Sequence, residues 1–162
     1  GLIDHHEQYQ DLNQGKHNIL RCVDCHDPHT GVVQQRQTDQ PTTHTQCVDC
    51  HFEQAKYQNN EIHSAMGVTC VECHMPKLIK VAWGDGAKYS GDFRTHRMAI
   101  DPSQIEQFEI VTAEDGTETQ LALSQIGLNF ACRQCHGSGR GSPKTDEELI
   151  STATGYHDRP TP

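Results

Sequence analysis

The chain has few of the residues that build a conventional hydrophobic core. Of its 162 residues, only 33% are hydrophobic and 6% are aromatic, with a single tryptophan. A polypeptide of this composition is close to the range in which chains stay disordered. We therefore expect little regular secondary structure and a fold that depends on something besides its own apolar side chains.

Long apolar runs and positive charge are also scarce. No run of about 18 apolar residues occurs, so we predict no membrane span. Lys and Arg number 13 against 22 Asp and Glu, which gives a formal net charge of −9. This balance argues against nucleic acid as a partner and favours basic partner proteins.

Cysteine and histidine are abundant, and they follow one pattern. All eight cysteines fall in four Cys-x-x-Cys-His motifs. The motifs are Cys22-Val23-Asp24-Cys25-His26, Cys47-Val48-Asp49-Cys50-His51, Cys70-Val71-Glu72-Cys73-His74 and Cys132-Arg133-Gln134-Cys135-His136.

This pattern is the attachment signature of c-type haem. The two thiols add to the vinyl groups of a haem, and the adjacent histidine becomes the proximal ligand of the iron. Zinc ribbons also use Cys-x-x-Cys pairs, but they do not need a histidine after the second cysteine. A disulfide framework would have varied spacings, and a thioredoxin-type pair would occur once. The sequence therefore predicts four haem c groups, each with one iron.

The second axial ligand of each iron must come from elsewhere. Eight histidines lie outside the motifs, whereas only three methionines, the competing ligand, are present. We therefore expect bis-histidine ligation at most or all four haems. The candidates are His5, His6, His17, His63, His96 and His157. His29 and His44 remain open between ligation of a neighbouring haem and a surface role.

One stretch of sequence resembles a known family. It contains His63-Ser-Ala-Met-Gly-Val-Thr-Cys70-Val-Glu-Cys-His-Met-Pro-Lys77, followed by His96 and by the motif that ends at His136. Residues 47–136 resemble the C-terminal haem region of cytochrome c nitrite reductases and the wider hydroxylamine-oxidoreductase-like multihaem group. This resemblance covers a little over half of the chain.

The resemblance implies which histidines share an iron. A histidine upstream of the Met-Pro motif serves the following haem in this family, and one downstream of it serves an earlier haem. The implied partners are His63 with His136, His96 with His26, His17 with His51 and His157 with His74.

The departures from the family concern its catalytic haem. That haem uses a lysine in place of the motif histidine and keeps an open iron position, whereas all four motifs here end in histidine. A saturated bis-histidine iron mainly passes electrons. We therefore predict electron transfer without enzymatic activity, and a small oxyanion reductase with one open haem is an alternative.

The chain also resembles the tetrahaem subunits of extracellular cytochrome filaments. In these polymers a histidine of one subunit completes a haem in the next, a role open here to His5, His6 or His157. We favour a head-to-tail homopolymer of this kind, with a soluble periplasmic shuttle that serves redox partner proteins as the alternative. Because haem c is attached outside the cytoplasm, we expect an exported chain, extracellular, at the cell surface or periplasmic, with Gly1 as its mature start.

The fold class follows from these features. We predict a single domain over residues 1–162, mostly irregular, with short helices and a small β-hairpin, wrapped around four stacked haems. The hairpin is expected over Phe108–Leu123 with Asp115-Gly116 in its turn, and a short helix over Lys144–Thr152.

The haem count is directly testable by mass. Four covalent haems should raise the intact mass above the 18.1 kDa of the chain by roughly 2.5 kDa in total, because all eight thiols become thioethers. Mass spectrometry of the denatured protein checks this value. Labelling of any cysteine by a thiol reagent would contradict it.

Overall fold

A computed structural model describes residues 1–3, 8–56 and 61–158. Its helices and strands are short. The helices are α1 Gln8–Gln14, α2 Cys22–Cys25, α3 Val32–Gln37, α4 Cys47–Cys50, α5 Phe52–Lys56, α6 Glu61–Ala65, α7 Cys70–His74, α8 Gln134–His136 and α9 Asp146–Ala153. A 3-10 turn covers Gly86–Lys88 and a π-helical turn covers Asn129–Arg133. The strands are β1 Ile79–Asp85, β2 Ser90–Phe93, β3 Phe108–Thr112 and β4 Glu118–Ala122.

The predicted hairpin is formed by β3 and β4. The two strands are antiparallel, with Phe108 opposite Ala122 and Thr112 opposite Glu118. Gly116 has φ +84°, a backbone conformation that glycine adopts without steric cost. The Asp115 carboxylate accepts a hydrogen bond from the backbone N–H of Thr117 at 2.9 Å and closes the turn.

A second hairpin, β1 with β2, follows the third Cys-x-x-Cys-His motif. Its ladder is irregular between Ile79 and Gly84. The Asp92 carboxylate accepts hydrogen bonds there from the backbone N–H groups of Val81, Ala82 and Trp83 at 2.8–2.9 Å. These bonds hold the pKa of Asp92 at about 2. The carboxylate thus satisfies donors that the irregular ladder leaves unpaired.

The helix α9 confirms the predicted helix near the C-terminal end. Thr145 is its N-cap: its hydroxyl accepts from the Glu148 N–H at 3.3 Å, and the Glu148 carboxylate accepts from the Thr145 N–H at 2.9 Å. This reciprocal pair satisfies two of the backbone donors at the start of the helix. The prediction of a mostly irregular chain with short helices and a small hairpin is therefore confirmed, while its wrapping around haems stays a prediction.

A small protein-only core lies between the hairpins and the start of the fourth motif. Its buried members are Ile3, Leu78, Ile79, Ile126, Phe130 and Ala131. Tyr89 and Phe108 pack edge-on against the Phe130 ring, with centroids 5.6 Å and 6.2 Å away. This core anchors the segment after the third motif and the segment that enters the fourth.

A buried ion pair joins α1 to the segment after β2. The side chains of Asp11 and Arg97 are 0% and 4% exposed, and Arg97 Nε donates to an Asp11 oxygen at 2.9 Å. The other Asp11 oxygen accepts from the Thr95 hydroxyl and, at 3.2 Å, from the backbone N–H of His96. The Arg97 guanidinium also donates to the carbonyl of Leu123. These bonds offset the desolvation of both charges.

Within residues 1–3, 8–56 and 61–158, no helix has the length and apolar character needed to cross a lipid bilayer.

Removing one partner of the buried pair should cost much of the stability of the fold. Asp11→Ala would leave the Arg97 cation buried without a counter-charge, so the free energy of unfolding should fall by about 3–5 kcal/mol. Denaturant unfolding at equal haem content measures the change. Lys144→Ala is the matched control, because it breaks an exposed pair with Glu148 and should have little effect. Equal midpoints for the two variants would contradict the expectation.

Candidate functional site

The first three Cys-x-x-Cys-His motifs each form one helical turn, closed by the acidic residue inside the motif. That carboxylate accepts a hydrogen bond from the backbone N–H of the residue before the first cysteine. Asp24 accepts from Arg21 at 2.8 Å, Asp49 from Gln46 at 2.8 Å, and Glu72 from Thr69 at 3.1 Å. The turn brings both cysteines and the histidine close together in space. One haem can therefore be bound by all three residues.

The fourth motif is built differently. It begins in the π-helical turn and ends in α8, and glutamine replaces the acidic residue. The Gln134 amide does not cap its own turn but donates to the carbonyl of Glu72 at 2.9 Å. This bond fastens the fourth motif to the third.

Every motif histidine faces a second histidine from elsewhere in the chain. The ring centroids are 5.7 Å apart for His17 and His51, 6.2 Å for His26 and His96, 5.9 Å for His63 and His136, and 5.9 Å for His74 and His157. These are the four pairs that the family resemblance implies.

The spacing of the pairs fits an iron between two axial imidazoles. With a metal–nitrogen distance of about 2 Å and a ring centroid about 1 Å behind each donor nitrogen, two imidazoles on opposite sides of one metal have centroids about 6 Å apart. A zinc site would need three or four ligands around one point, and no such cluster of His, Cys, Asp or Glu occurs among the described residues. The donor set therefore fits haem iron rather than zinc.

Hydrogen bonds select the ring nitrogen that each imidazole presents to its partner. For five of the eight histidines, Nδ1 lies within 3.1 Å of an oxygen. The acceptors are the carbonyls of Thr42 for His26, Met98 for His74, Ser142 for His136 and Gln54 for His157, and the hydroxyl of Tyr156 for His63. With its proton on Nδ1, an imidazole keeps the Nε2 lone pair for a metal.

Burial favours the neutral form that metal ligation requires. It is the main cause that lowers the pKa of His17, His63 and His96, and the facing motif histidine lowers each further. Burial also lowers the pKa of His74, although the bond to the Met98 carbonyl opposes the shift. Above these lowered pKa values the imidazoles are uncharged and can donate a lone pair.

The segment Thr95–Met98 serves two sites at once. His96 faces His26 of the first motif, and the carbonyl of Met98 accepts the Nδ1 proton of His74 of the third. Met98 has φ +59°, a left-handed conformation that few non-glycine residues adopt. Asp11 holds the backbone of the segment through its bond to the His96 N–H. Within the described part of the chain, the buried Nδ1 of His96 itself has no hydrogen-bond partner.

Consecutive sites are neighbours in space. The Cys25 thiol interacts electrostatically with Cys50, Cys47 with Cys70, and Cys73 with both cysteines of the fourth motif. Burial first, and then these thiols, raise the pKa of Cys73 to about 12. The carbonyl of Cys25 also accepts the backbone N–H of His44, just before the second motif, at 2.9 Å. The four sites therefore adjoin one another in the order of the sequence.

The remaining candidate histidines are not brought to a site. His29 and His44 are exposed, and among the described residues neither makes a ring contact with a motif histidine. His5 and His6, the candidates for a ligand donated to another subunit, lie outside the described residues.

Comparison with known proteins finds a distant relative among curated proteins. No family model and no solved structure matches the chain. Among curated proteins, the dissimilatory sulfite reductase MccA of Wolinella succinogenes is 27% identical over 142 aligned positions. The match covers 68% of this chain and 20% of the relative, so the chain spans about one fifth of the length of the protein it resembles.

This match corrects the prediction that the chain is not an enzyme, because the relative is by name a reductase. That prediction was wrong for a physical reason. Two histidine ligands on each of four irons exclude substrate binding at those irons, but they do not exclude a part in an enzyme. Together with the four motifs, the match supports a multihaem c-type cytochrome with haem c as its cofactor. It does not support the resemblance to filament subunits.

Proposed function

We propose that the chain is a tetrahaem c-type cytochrome unit that carries electrons in the reduction of a small oxyanion of the sulfite type. The observation that carries this proposal is the set of four facing imidazole pairs, one for each Cys-x-x-Cys-His motif. Bound haem iron supplies a one-electron Fe(III)/Fe(II) couple at each site.

The residues of the chain would hold each iron through two imidazoles and each haem through two cysteines. The cysteine pairs are Cys22 and Cys25, Cys47 and Cys50, Cys70 and Cys73, and Cys132 and Cys135. The imidazole pairs that would hold the irons are His26 with His96, His51 with His17, His74 with His157, and His136 with His63. The carbonyls at Nδ1 orient the rings of His26, His74, His136 and His157 and would increase the electron donation of these imidazoles to a bound iron. Such donation would favour the ferric state and a low reduction potential, which suits delivery of electrons to an oxyanion.

Saturated sites in contact with one another favour electron transfer over substrate binding. An iron with two strong axial ligands has no open position for an oxyanion, so its remaining reaction is gain and loss of an electron. Because the thiols of consecutive motifs adjoin, an electron that enters at one end has a neighbouring site to move to at each step.

The oxyanion part of the proposal is supported by the relative alone. MccA is named a dissimilatory sulfite reductase, and the chain matches one fifth of it. We infer that reduction takes place at an iron with an open position, which the four paired sites do not provide. The chain would then be the part of a reductase system that delivers electrons.

The filament interpretation assigned His5, His6 or His157 to a haem of another subunit. In the structure, His157 lies opposite His74 of the same chain, with ring centroids 5.9 Å apart. With four pairs inside one chain, ligation requires no second copy. Export remains a proposal that depends only on where haem c is attached.

Removing a non-motif ligand should open one iron. In His157→Ala, one ferric haem of the four should become high-spin, about one quarter of the total, and should bind cyanide. Electron paramagnetic resonance and cyanide titration measure both effects. His44→Ala is the matched control, since His44 is exposed, and it should leave all four haems low-spin. A fully low-spin His157→Ala protein with four haems would show that His157 is not a ligand. A high-spin quarter in the unsubstituted protein would favour the small reductase with one open haem.

The link to oxyanion reduction should be visible in native material. An assembly isolated from the source organism through a tag on this chain should oxidise reduced viologen when sulfite is added. The recombinant 162-residue chain with four haems should accept electrons in four one-electron steps. A native assembly that reduces neither sulfite nor nitrite would contradict the oxyanion part and leave electron transfer standing.

A further inference from the structure

Tyr156 lies between the third and fourth sites. It follows α9 and precedes His157, the partner of His74. Its ring is stacked near the imidazole of His63, with centroids 6.2 Å apart and an interplanar angle of 29°, and it contacts His157 edge-on at 5.0 Å. It is also within electrostatic reach of Cys73 of the third motif and Cys132 of the fourth.

The hydroxyl of Tyr156 makes a contact of a kind found nowhere else among the described site histidines. It lies 3.0 Å from Nδ1 of His63, whereas the oxygen at the other four Nδ1 atoms with a recorded contact is a backbone carbonyl. When Nε2 of His63 faces His136, its Nδ1 carries the proton and donates it to the phenol oxygen. An acceptor at this position fixes the tautomer and makes the imidazole a stronger electron donor.

We propose that Tyr156 is a positioning residue for electron transfer: its hydroxyl sets the orientation and electron donation of His63 and so lowers the reduction potential of the fourth site relative to one without this bond. The inference depends on the proposed function, because it takes His63 and His136 as ligands of one iron. A backbone carbonyl cannot be changed by substitution. Among the described Nδ1 contacts, the one at the fourth site is therefore made by a side-chain atom, which a single substitution can remove.

Packing alone is the competing explanation, since an aromatic ring beside two imidazoles also fills space. Tyr156→Phe separates the two roles, because it keeps the ring and removes only the acceptor. Tyr89→Phe is the matched control: Tyr89 is a partly buried tyrosine that packs against Phe130 in the protein core, with centroids 5.6 Å apart.

The measurement is a redox titration of the four-haem protein, followed by the low-spin resonances of the individual haems. In Tyr156→Phe, one haem should show a ferric-to-ferrous ratio about threefold to tenfold lower at a fixed potential, since a lost hydrogen bond no longer favours the ferric state. A tenfold change corresponds to about 59 mV for a one-electron couple. The other three haems, and all four in Tyr89→Phe, should titrate as before. An unchanged titration of all haems in Tyr156→Phe would overturn the proposal.

A second measurement needs no substitution, should Tyr156→Phe fail to mature with four haems. In the ferric unsubstituted protein, the Nδ1 proton of His63 should give a hyperfine-shifted signal that exchanges slowly with D2O and shows a nuclear Overhauser contact to the Tyr156 ring. Absence of that contact would also overturn the proposal. Failure of the proposed function looks different, because it would appear in the unsubstituted protein as fewer than four haems or as a high-spin fraction.

Discussion

The whole structure depends on holding eight imidazoles in four facing pairs. A pair about 6 Å apart is sterically unremarkable, but its two rings come from segments as distant as His17 and His51 or His63 and His136. Without iron, two imidazoles gain little by facing each other, and burial lowers the pKa of one member of each pair: His17, His63, His74 and His96. The chain must therefore hold the rings from behind, and Nδ1 hydrogen bonds to backbone carbonyls do so for four of the eight: His26, His74, His136 and His157. A hydrogen bond at the ring nitrogen that does not bind the metal orients a histidine ligand.

Because apolar residues are scarce, two kinds of interaction stabilise the segments that carry the histidines: apolar packing and a buried ion pair. The hairpins and the core around Phe130 stabilise the segments on either side of the third and fourth motifs by ordinary packing. The first motif has no buried apolar residue of its own, and its partner His96 is held instead through Asp11 and Arg97. A buried ion pair adds little net stability over an apolar contact, but its hydrogen bonds impose one geometry. The hydrogen bonds of the Asp11–Arg97 pair therefore hold the backbone at His96 in one geometry.

Local features were predictable from the sequence because their causes are local. Four motifs, a hairpin around Asp115-Gly116 and a helix capped by Thr145 each follow from a few adjacent residues. The histidine partners came from the resemblance, since nothing near His17 or His157 indicates which motif it faces. The Asp11–Arg97 pair was beyond sequence reasoning, because it joins residues 86 positions apart. So were the carbonyl of Met98, which depends on a positive φ, and the hydroxyl of Tyr156, which lies 93 residues from its partner. The enzymatic link was stated only as an alternative, because the four motif histidines indicate saturated irons and the link itself comes from a relative.

The proposed function would give four adjoining saturated sites a physical role beside an oxyanion reductase. Reduction of an oxyanion such as sulfite takes several electrons, whereas one haem iron supplies one. An open iron without neighbouring haems needs a new electron-donor protein after each electron. During that time a partly reduced form of the oxyanion can dissociate. A row of neighbouring one-electron sites supplies the next electron from within the same chain. Saturation by two histidines would then be useful, because an iron that cannot bind the oxyanion cannot be trapped by it. The electron would pass to the next iron instead. The same logic gives a role to the four oxygen contacts at Nδ1 of His63, His74, His136 and His157, the imidazoles of the last two sites. Each contact orients a ligand, and the orientation of the ligands affects how readily an electron would pass to the next iron.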